Sequence, residues 1–280
     1  MSEEHLIRVA TLSEAEVIQA VFAPGALRIV HQPIVELSSG EAVGFEALAR
    51  FSPPPNRSPD RWFDAAGRVG RRTELERLAI TLATRSLCDI GPDCFLSVNA
   101  SPETVLDPAF AEQLERVEVA RVVLEVTENA RIDSYQRFAE ALRPFRAQGL
   151  RLAVDDLGSG FASLNHILRL EPDLIKLDRS ITREIDRHRP TRALAAALTS
   201  FAMETGMLLV AEGIETTMQR SLLTALGISL GQGYLFGKPQ PPDDPQQLSG
   251  AAASRQPQPA VALVEPAART RCASVASSRH

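Results

Sequence analysis

Hydrophobic positions along this chain recur with two different periods, and the two alternate. Short apolar runs of strand length stand at CFLSVN, RVVLEVTE, RLAVDD, DLIKLD, LLVAEG and GQGYLF. Between most of them lie amphipathic stretches with helical spacing, such as YQRFAEALRPFRAQ and TRALAAALTSFAME. Strands alternating with helices predict a parallel sheet covered by helices. Upstream, LRIVHQPIVELSSGEAVGFEALARF predicts an antiparallel hairpin turning at Ser38, Ser39 and Gly40. Residues 13–22 predict a helix capped by Ser13, with Glu16 three residues on. The prolines of SPPPNRSPD exclude regular structure there, and a helix is predicted over roughly 74–89. No glycine-rich dinucleotide fingerprint follows the first strand, which argues against an open nucleotide-binding sheet. Counting the hairpin, about eight strands are available. The expected fold is an α/β, TIM-type (β/α)8 barrel whose first strand runs antiparallel to the others.

The pattern stops after Pro239. From about residue 245 to 280 the chain is rich in proline, alanine, serine and glutamine, and is expected to be a disordered tail. Residues 1–240 would then be the barrel, with 1–26 a helical lead-in. The whole is 280 residues and 44% hydrophobic, enough for one large core. A formal net charge of −5 predicts no broad electropositive face for a nucleic acid polymer, so a phosphate ligand must be held by local groups or by metal. Cys88, Cys94 and Cys272 have no metal-ligand spacing and are odd in number, which suits a reducing compartment. The acidic opening MSEEHLIRVATLSEAE holds no signal-peptide core, and no apolar run reaches the length of a membrane span. A cytoplasmic protein is expected.

Candidate chemistry lies at the strand ends. Glu46 ends VGFE, Asn99 ends FLSVN, Glu125 closes VVLE, and Asp155 and Asp156 close LAVDD. Lys176 and Asp178 alternate at the end of LIKLD, Glu212 follows LLVA, and Gln232 sits in GQGY. In a parallel barrel these ends gather on one face, the face on which such barrels carry their active sites. Five carboxylates and an amide carbonyl make an all-oxygen set, which suits Mg or Mn better than zinc. Neighbouring Asp155 and Asp156 repel each other, and a divalent ion, or two sharing Asp155, removes that repulsion. Both can face the bowl only if the strand gives way to the glycine turn between them and Gly160. Lys176 adds a fixed positive charge, and the set suits a phosphodiester and a metal-activated water. Taken singly, each residue has a plainer reading. Glu128 and Glu215 suit first helical turns, Asp133 a cap or first turn, the SPET stretch a cap, and His31 a packed strand position. Their joint placement at successive strand ends is what favours a site.

These motifs, in order, resemble the EAL-domain family of cyclic di-GMP phosphodiesterases. QPIVELSSGEAVGFEALAR carries the Glu46-Ala47-Leu48 signature, and SVNASPE, LEVTEN, AVDDLGSGFASL, DLIKLDRSI, VAEGIET and GQGYLFGKP follow at familiar separations. The resemblance covers about residues 14–240. It implies a modified barrel with an antiparallel first strand, and hydrolysis of one phosphodiester bond of cyclic di-GMP to linear pGpG with Mg or Mn, one or two ions. Glu46, Asn99, Glu125 and Asp155 would be ligands of the first metal, and Asp155 and Asp156 of the second. Lys176 would hold and polarise the attacking water, with Glu212 a metal-linked ligand or candidate base, and Gln232 would contact water or metal. Gln32 and Arg50 would contact substrate, Arg50 at phosphate, and Asp178 substrate or a supporting group. Glu128 would steady the loop after Asp156, and Glu215 would sit near Lys176. A homodimer is also implied.

His31 replaces the family's usual aromatic, Leu157 and Ser159 stand where Phe and Thr are commoner, and WFDAAGRVGRRTELE lacks the usual acidic pair. Three other readings compete: a barrel that binds cyclic di-GMP without cutting it, a carboxylate-metal barrel of another chemistry such as enolate formation, and a signalling interaction module docking through its tail.

Overall fold

The computed structural model describes residues 12–158 and 164–241. The tail, Ser159 and Gly160 lie outside the described residues. Eight strands close a barrel in chain order: β1 (Leu27–Glu36), β2 (Ala42–Phe51), β3 (Phe95–Asn99), β4 (Val122–Thr127), β5 (Arg151–Leu157), β6 (Leu174–Leu177), β7 (Leu208–Ala211) and β8 (Leu230–Gln232). β1 is antiparallel to both its neighbours, β2 and β8, and the remaining pairs are parallel. This is the TIM-type barrel with a reversed first strand that the sequence pattern predicts. Hairpin register sets Gln32 opposite Glu46.

Around the barrel lie α1 (Glu14–Ala20), α2 (Pro59–Arg68), α3 (Arg72–Arg85), α4 (Pro102–Val105), α5 (Pro108–Leu114), α6 (Tyr135–Arg146), α7 (Leu164–Leu170), α8 (Arg179–Glu184), α9 (Arg189–Thr205) and α10 (Thr217–Ala225). The α1 cap is reciprocal: Glu16 N–H donates to Ser13 Oγ and Ser13 N–H to Glu16 Oε2 at 2.8 Å. α2 corrects the expectation for SPPPNRSPD, whose last two residues open a helix. Pro59 stands in the first turn, where its missing N–H costs nothing. Trp62, Ala65 and Ala66 recur at helical spacing and bury completely against α1 and α3. α3 ends at Arg85 and passes into a 3-10 turn over Ser86–Cys88. Ser134, not Asp133, caps α6 by accepting the Arg137 N–H, while Asp133 is exposed and pairs with Arg131 at 2.9 Å.

The barrel interior is layered, and the layering positions the site. Ile34, Phe95, Val123, Ala153, Leu174, Val210 and Leu230 form one buried apolar cluster contributed by seven strands. Side chains two apart on a strand share a face. Two residues beyond those floor positions stand Ser97, Glu125, Asp155, Lys176, Glu212 and Gln232, and on reversed β1 the equivalent is Gln32. On β2 the floor position is Gly44, and a side chain there would come within 2.6 Å of the Phe95 ring. Phe95 fills that space instead. Burial of such a ring contributes about 1.5–3 kcal/mol. The polar layer therefore rests on an apolar floor.

Candidate active site

Lys176 sits at the centre of the polar layer. It is 1% exposed, and its ammonium lies 2.8 Å from Glu212 Oε1, 3.0 Å from Glu125 Oε2, 3.3 Å from Asp155 Oδ1 and 3.4 Å from Glu46 Oε2. Burial alone would push the ammonium down, but Asp155, Glu125, Glu212 and Glu46 outweigh it and hold Lys176 well above its usual value. The acids feel the opposite pressure. Burial, with the charges of Glu46 and Asp155, pushes Glu125 well above the carboxylate range despite Lys176 and a short bond donated by Ser97 Oγ. Burial and the same kind of crowding push Glu212 up to about 8 and Asp156 up to about 6.

Two groups of three acids bring oxygens within 4.8 Å of one another: Glu46, Glu125 and Asp155 in one, and Asp155, Asp156 and Glu212 in the other. Asp155 belongs to both. Five carboxylates against one ammonium leave a formal surplus of four negative charges, which two divalent cations would balance. Every donor is oxygen, the ligand type that suits hard divalent cations. Gln232 adds a further sign. Its Nε2 donates to Glu46 Oε2 at 2.6 Å and to Gln32 Oε1 at 2.9 Å, while its Oε1 is buried without a hydrogen-bond partner. The residues fit a divalent metal site.

Asp155 and Asp156 share the bowl by a route different from the expected strand end. β5 continues to Leu157, but its register against β6 breaks between Val154 and Leu157, and Asp156 adopts φ +61°. One left-handed residue inside the strand removes the alternation that would aim the second acid outward. Asp156 N–H then donates to Asp155 Oδ1 at 2.8 Å.

The other singled-out residues fall at varied distances from this centre. Asn99 is exposed at the end of β3 and donates to Glu46 Oε1 at 3.3 Å. Gln32 donates to Gly237 O at 3.1 Å. Arg50 is half-buried, lines the bowl and donates to Ala49 O at 2.8 Å. Glu128 is buried and accepts the Gly158 N–H at 3.1 Å, holding the chain just past Leu157. Asp178 caps α8 by accepting the Ser180 N–H at 2.9 Å. Glu215 is exposed and is not among the four acids around Lys176; its backbone N–H donates to Gln219 Oε1 at 2.9 Å. His31 is fully buried against Ser86, 2.8 Å from its Oγ.

Sequence reading missed Ser97 and Glu76. The signal for Ser97 was its position two before Asn99, on the same strand face. The bowl, about 530 Å³, is bounded by Glu46, Arg50, Asn99, Glu125, Asp155 and Asp156, with Phe63 of α2 on its rim. A larger hollow of about 690 Å³ lies between α3 and α5 and holds none of these residues.

Fold and site together define the class: a TIM-type barrel with an acidic, lysine-centred mouth at its strand ends. Within that class the chain belongs to the EAL domain family, which matches residues 14–239. NbdA of Pseudomonas aeruginosa, named a cyclic di-GMP phosphodiesterase, is 29% identical over 253 residues, covering 86% of this chain and 32% of NbdA. Among solved structures, the phosphodiesterase PaMucR in complex with c-di-GMP matches with a TM-score of 0.73 and 26% identity, over 82% of this chain and 98% of PaMucR. Klebsiella pneumoniae BlrP1 with manganese and cyclic di-GMP matches with a TM-score of 0.69 and 29% identity, over 78% of this chain and 57% of BlrP1. The chain spans about three-tenths of the length of curated relatives such as NbdA.

Proposed function

We propose that the barrel hydrolyses one phosphodiester bond of cyclic di-GMP with the help of Mg or Mn. One water adds across one P–O3′ bond, so that a 5′-phosphate stays on one guanosine, the other recovers its 3′-hydroxyl, and linear pGpG results. The observation that carries this reading is the pair of three-acid groups sharing Asp155 around buried Lys176. Membership of the EAL domain family and the named activities of NbdA and PaMucR support it.

Glu46, Glu125 and Asp155, with Asn99 beside them, would hold one ion, and Asp155, Asp156 and Glu212 the other. Such ions supply positive charge that lowers the pKa of a water and offsets charge on the phosphoryl oxygens. Lys176 is held protonated, so its part is to donate a hydrogen bond and fix a positive charge; it is no base. Glu212, 2.8 Å from Lys176, would serve as a ligand of the second ion or as the base; pushed up to about 8 without metal, it holds its proton at neutral pH and takes up either part only once a cation displaces that proton. Arg50 on the bowl wall would meet a phosphate, and Gln32 would fix Gln232 beneath it. The apolar floor keeps bulk water from the rear of the site. Our reading of the assembly is a homodimer, on the family resemblance, and of the compartment the cytoplasm, which suits the free thiols of Cys88 and Cys94. Among the described residues no helix is long and apolar enough to cross a membrane.

The test is incubation of the purified chain with cyclic di-GMP and Mg or Mn, with products separated by chromatography. Formation of pGpG that stops on chelation and in Glu46→Ala supports the proposal. Retention of intact cyclic di-GMP with both metals would overturn it.

A further inference from the structure

α3 carries an acid on its apolar side. Glu76 lies one turn from Ile80 and two from Ala83, both buried, and is itself only 6% exposed. Its carboxylate is fully engaged. Oε2 accepts three bonds from the turn that follows β3: Ser101 N–H at 2.8 Å, Ser101 Oγ–H at 2.7 Å and Thr104 Oγ1–H at 2.6 Å. Oε1 accepts Arg72 Nε–H at 2.8 Å. Glu76 is not in either three-acid group and is not paired with Lys176. A buried carboxylate carries a desolvation cost that these charge-assisted bonds offset. Those bonds fix one thing in particular, the backbone two residues beyond Asn99.

That backbone needs fixing from outside. α4 is a single turn of four residues, too short to hold its own geometry in water. On one flank Ala100 N–H donates to Glu125 O at 3.0 Å, continuing the sheet. On the other flank Glu76 provides the anchor. Asn99 immediately precedes these two anchored residues, is exposed, and donates through its side chain to Glu46 Oε1 at 3.3 Å. Arg72 extends the clamp to the rim of the bowl, with Nη1 3.6 Å from Asp64 of α2.

We propose that Glu76 is a positioning residue for Asn99, and that it sets the affinity of the Glu46–Glu125–Asp155 site for a divalent cation without touching the ion. This rests on the metal site of the proposed function. The measurement is binding of Mn2+ to the metal-free full chain, by calorimetry and by loss of the free-Mn2+ EPR signal, compared between wild type, Glu76→Gln and Thr104→Val. Glu76→Gln turns an amide N–H2 toward a set of donors, and weakening on the order of tenfold is expected at the tighter site, as for other groups that orient metal ligands. Thr104→Val keeps the carboxylate and removes one donor, so a smaller shift in the same direction is expected even if Glu76→Gln does not fold. With cyclic di-GMP, the dependence of rate on Mn2+ concentration should shift while kcat at saturating Mn2+ recovers most of its value. Unchanged Mn2+ affinity in both folded variants would overturn the proposal, as would a wild type that takes up no Mn2+. A wild type that binds Mn2+ yet forms no pGpG defeats the hydrolase reading alone and leaves this one to be decided by the titration.

Discussion

Lys176 offsets four carboxylates at once, so its side chain is where a single substitution tells most. Lys176→Met keeps the bulk and removes the charge, leaving Glu46, Glu125, Asp155 and Glu212 to repel one another. Removing one partner of a buried ion pair costs about 3–5 kcal/mol, a cost that proton uptake by the acids reduces. The expected outcome is a lower melting temperature in the metal-free chain and loss of pGpG formation by at least ~100-fold, read by calorimetry and chromatography. Full turnover in Lys176→Met would remove the lysine from the chemistry. At this scale the sequence was informative where an acid ended an apolar run. Ser97 and Glu76 escaped because neither ends a strand. Glu76 lies within the helix expected over roughly 74–89, and its spacing from Ile80 and Ala83 places it on the buried face.

At the scale of the element, β5 departs from regular geometry at the site itself. Asp and Asn tolerate the left-handed region, whereas a β-branched residue there carries about 1–2 kcal/mol of strain. Asp156→Asn should therefore keep the bulge and melt no lower than the wild type in the metal-free chain, while lowering bound Mn2+ from two equivalents to one by calorimetry. Asp156→Val should lose the same equivalent and also melt several degrees lower. Equal stability of the two variants would show that the backbone at Asp156 is not the constraint. Apolar runs marked where strands lay, because each strand alternates floor or site residues with residues packed under helices. They did not show that β5 runs on through Asp156, since a bulge changes register without changing composition. α2 was hidden for a related reason: the prolines before it read as a break, and its Trp62, Ala65 and Ala66 stripe is short and set among charges.

For the whole molecule, the surplus of negative charge in the barrel mouth links stability, pH and metal. Glu212 and Asp156 have native values near 8 and 6, above their ordinary 4.5 and 3.8, so the folded chain holds protons that the unfolded chain has released. Where the native state binds more protons, stability falls as pH rises. The window runs from 3.8 to about 6 for Asp156 and from 4.5 to about 8 for Glu212, with a slope of about 1.4 kcal/mol per pH unit for each extra proton held. Lys176 does not counter this, because its raised value acts only above its ordinary 10.5. Divalent cations compete with those protons for the same oxygens, so their effect must grow as pH rises. The expected result is a metal-free melting temperature that declines from pH 6.5 to 8.5, above the range in which His31 and His166, both pushed down by burial, act in the opposite direction, and an Mn2+-induced rise that is larger at pH 8 than at pH 6. Scanning calorimetry with chelator and then with Mn2+ reads both. A metal-free barrel that grows more stable across that window would mean that its acids are ionised and satisfied without cations, and the charge argument for two ions would fail with it.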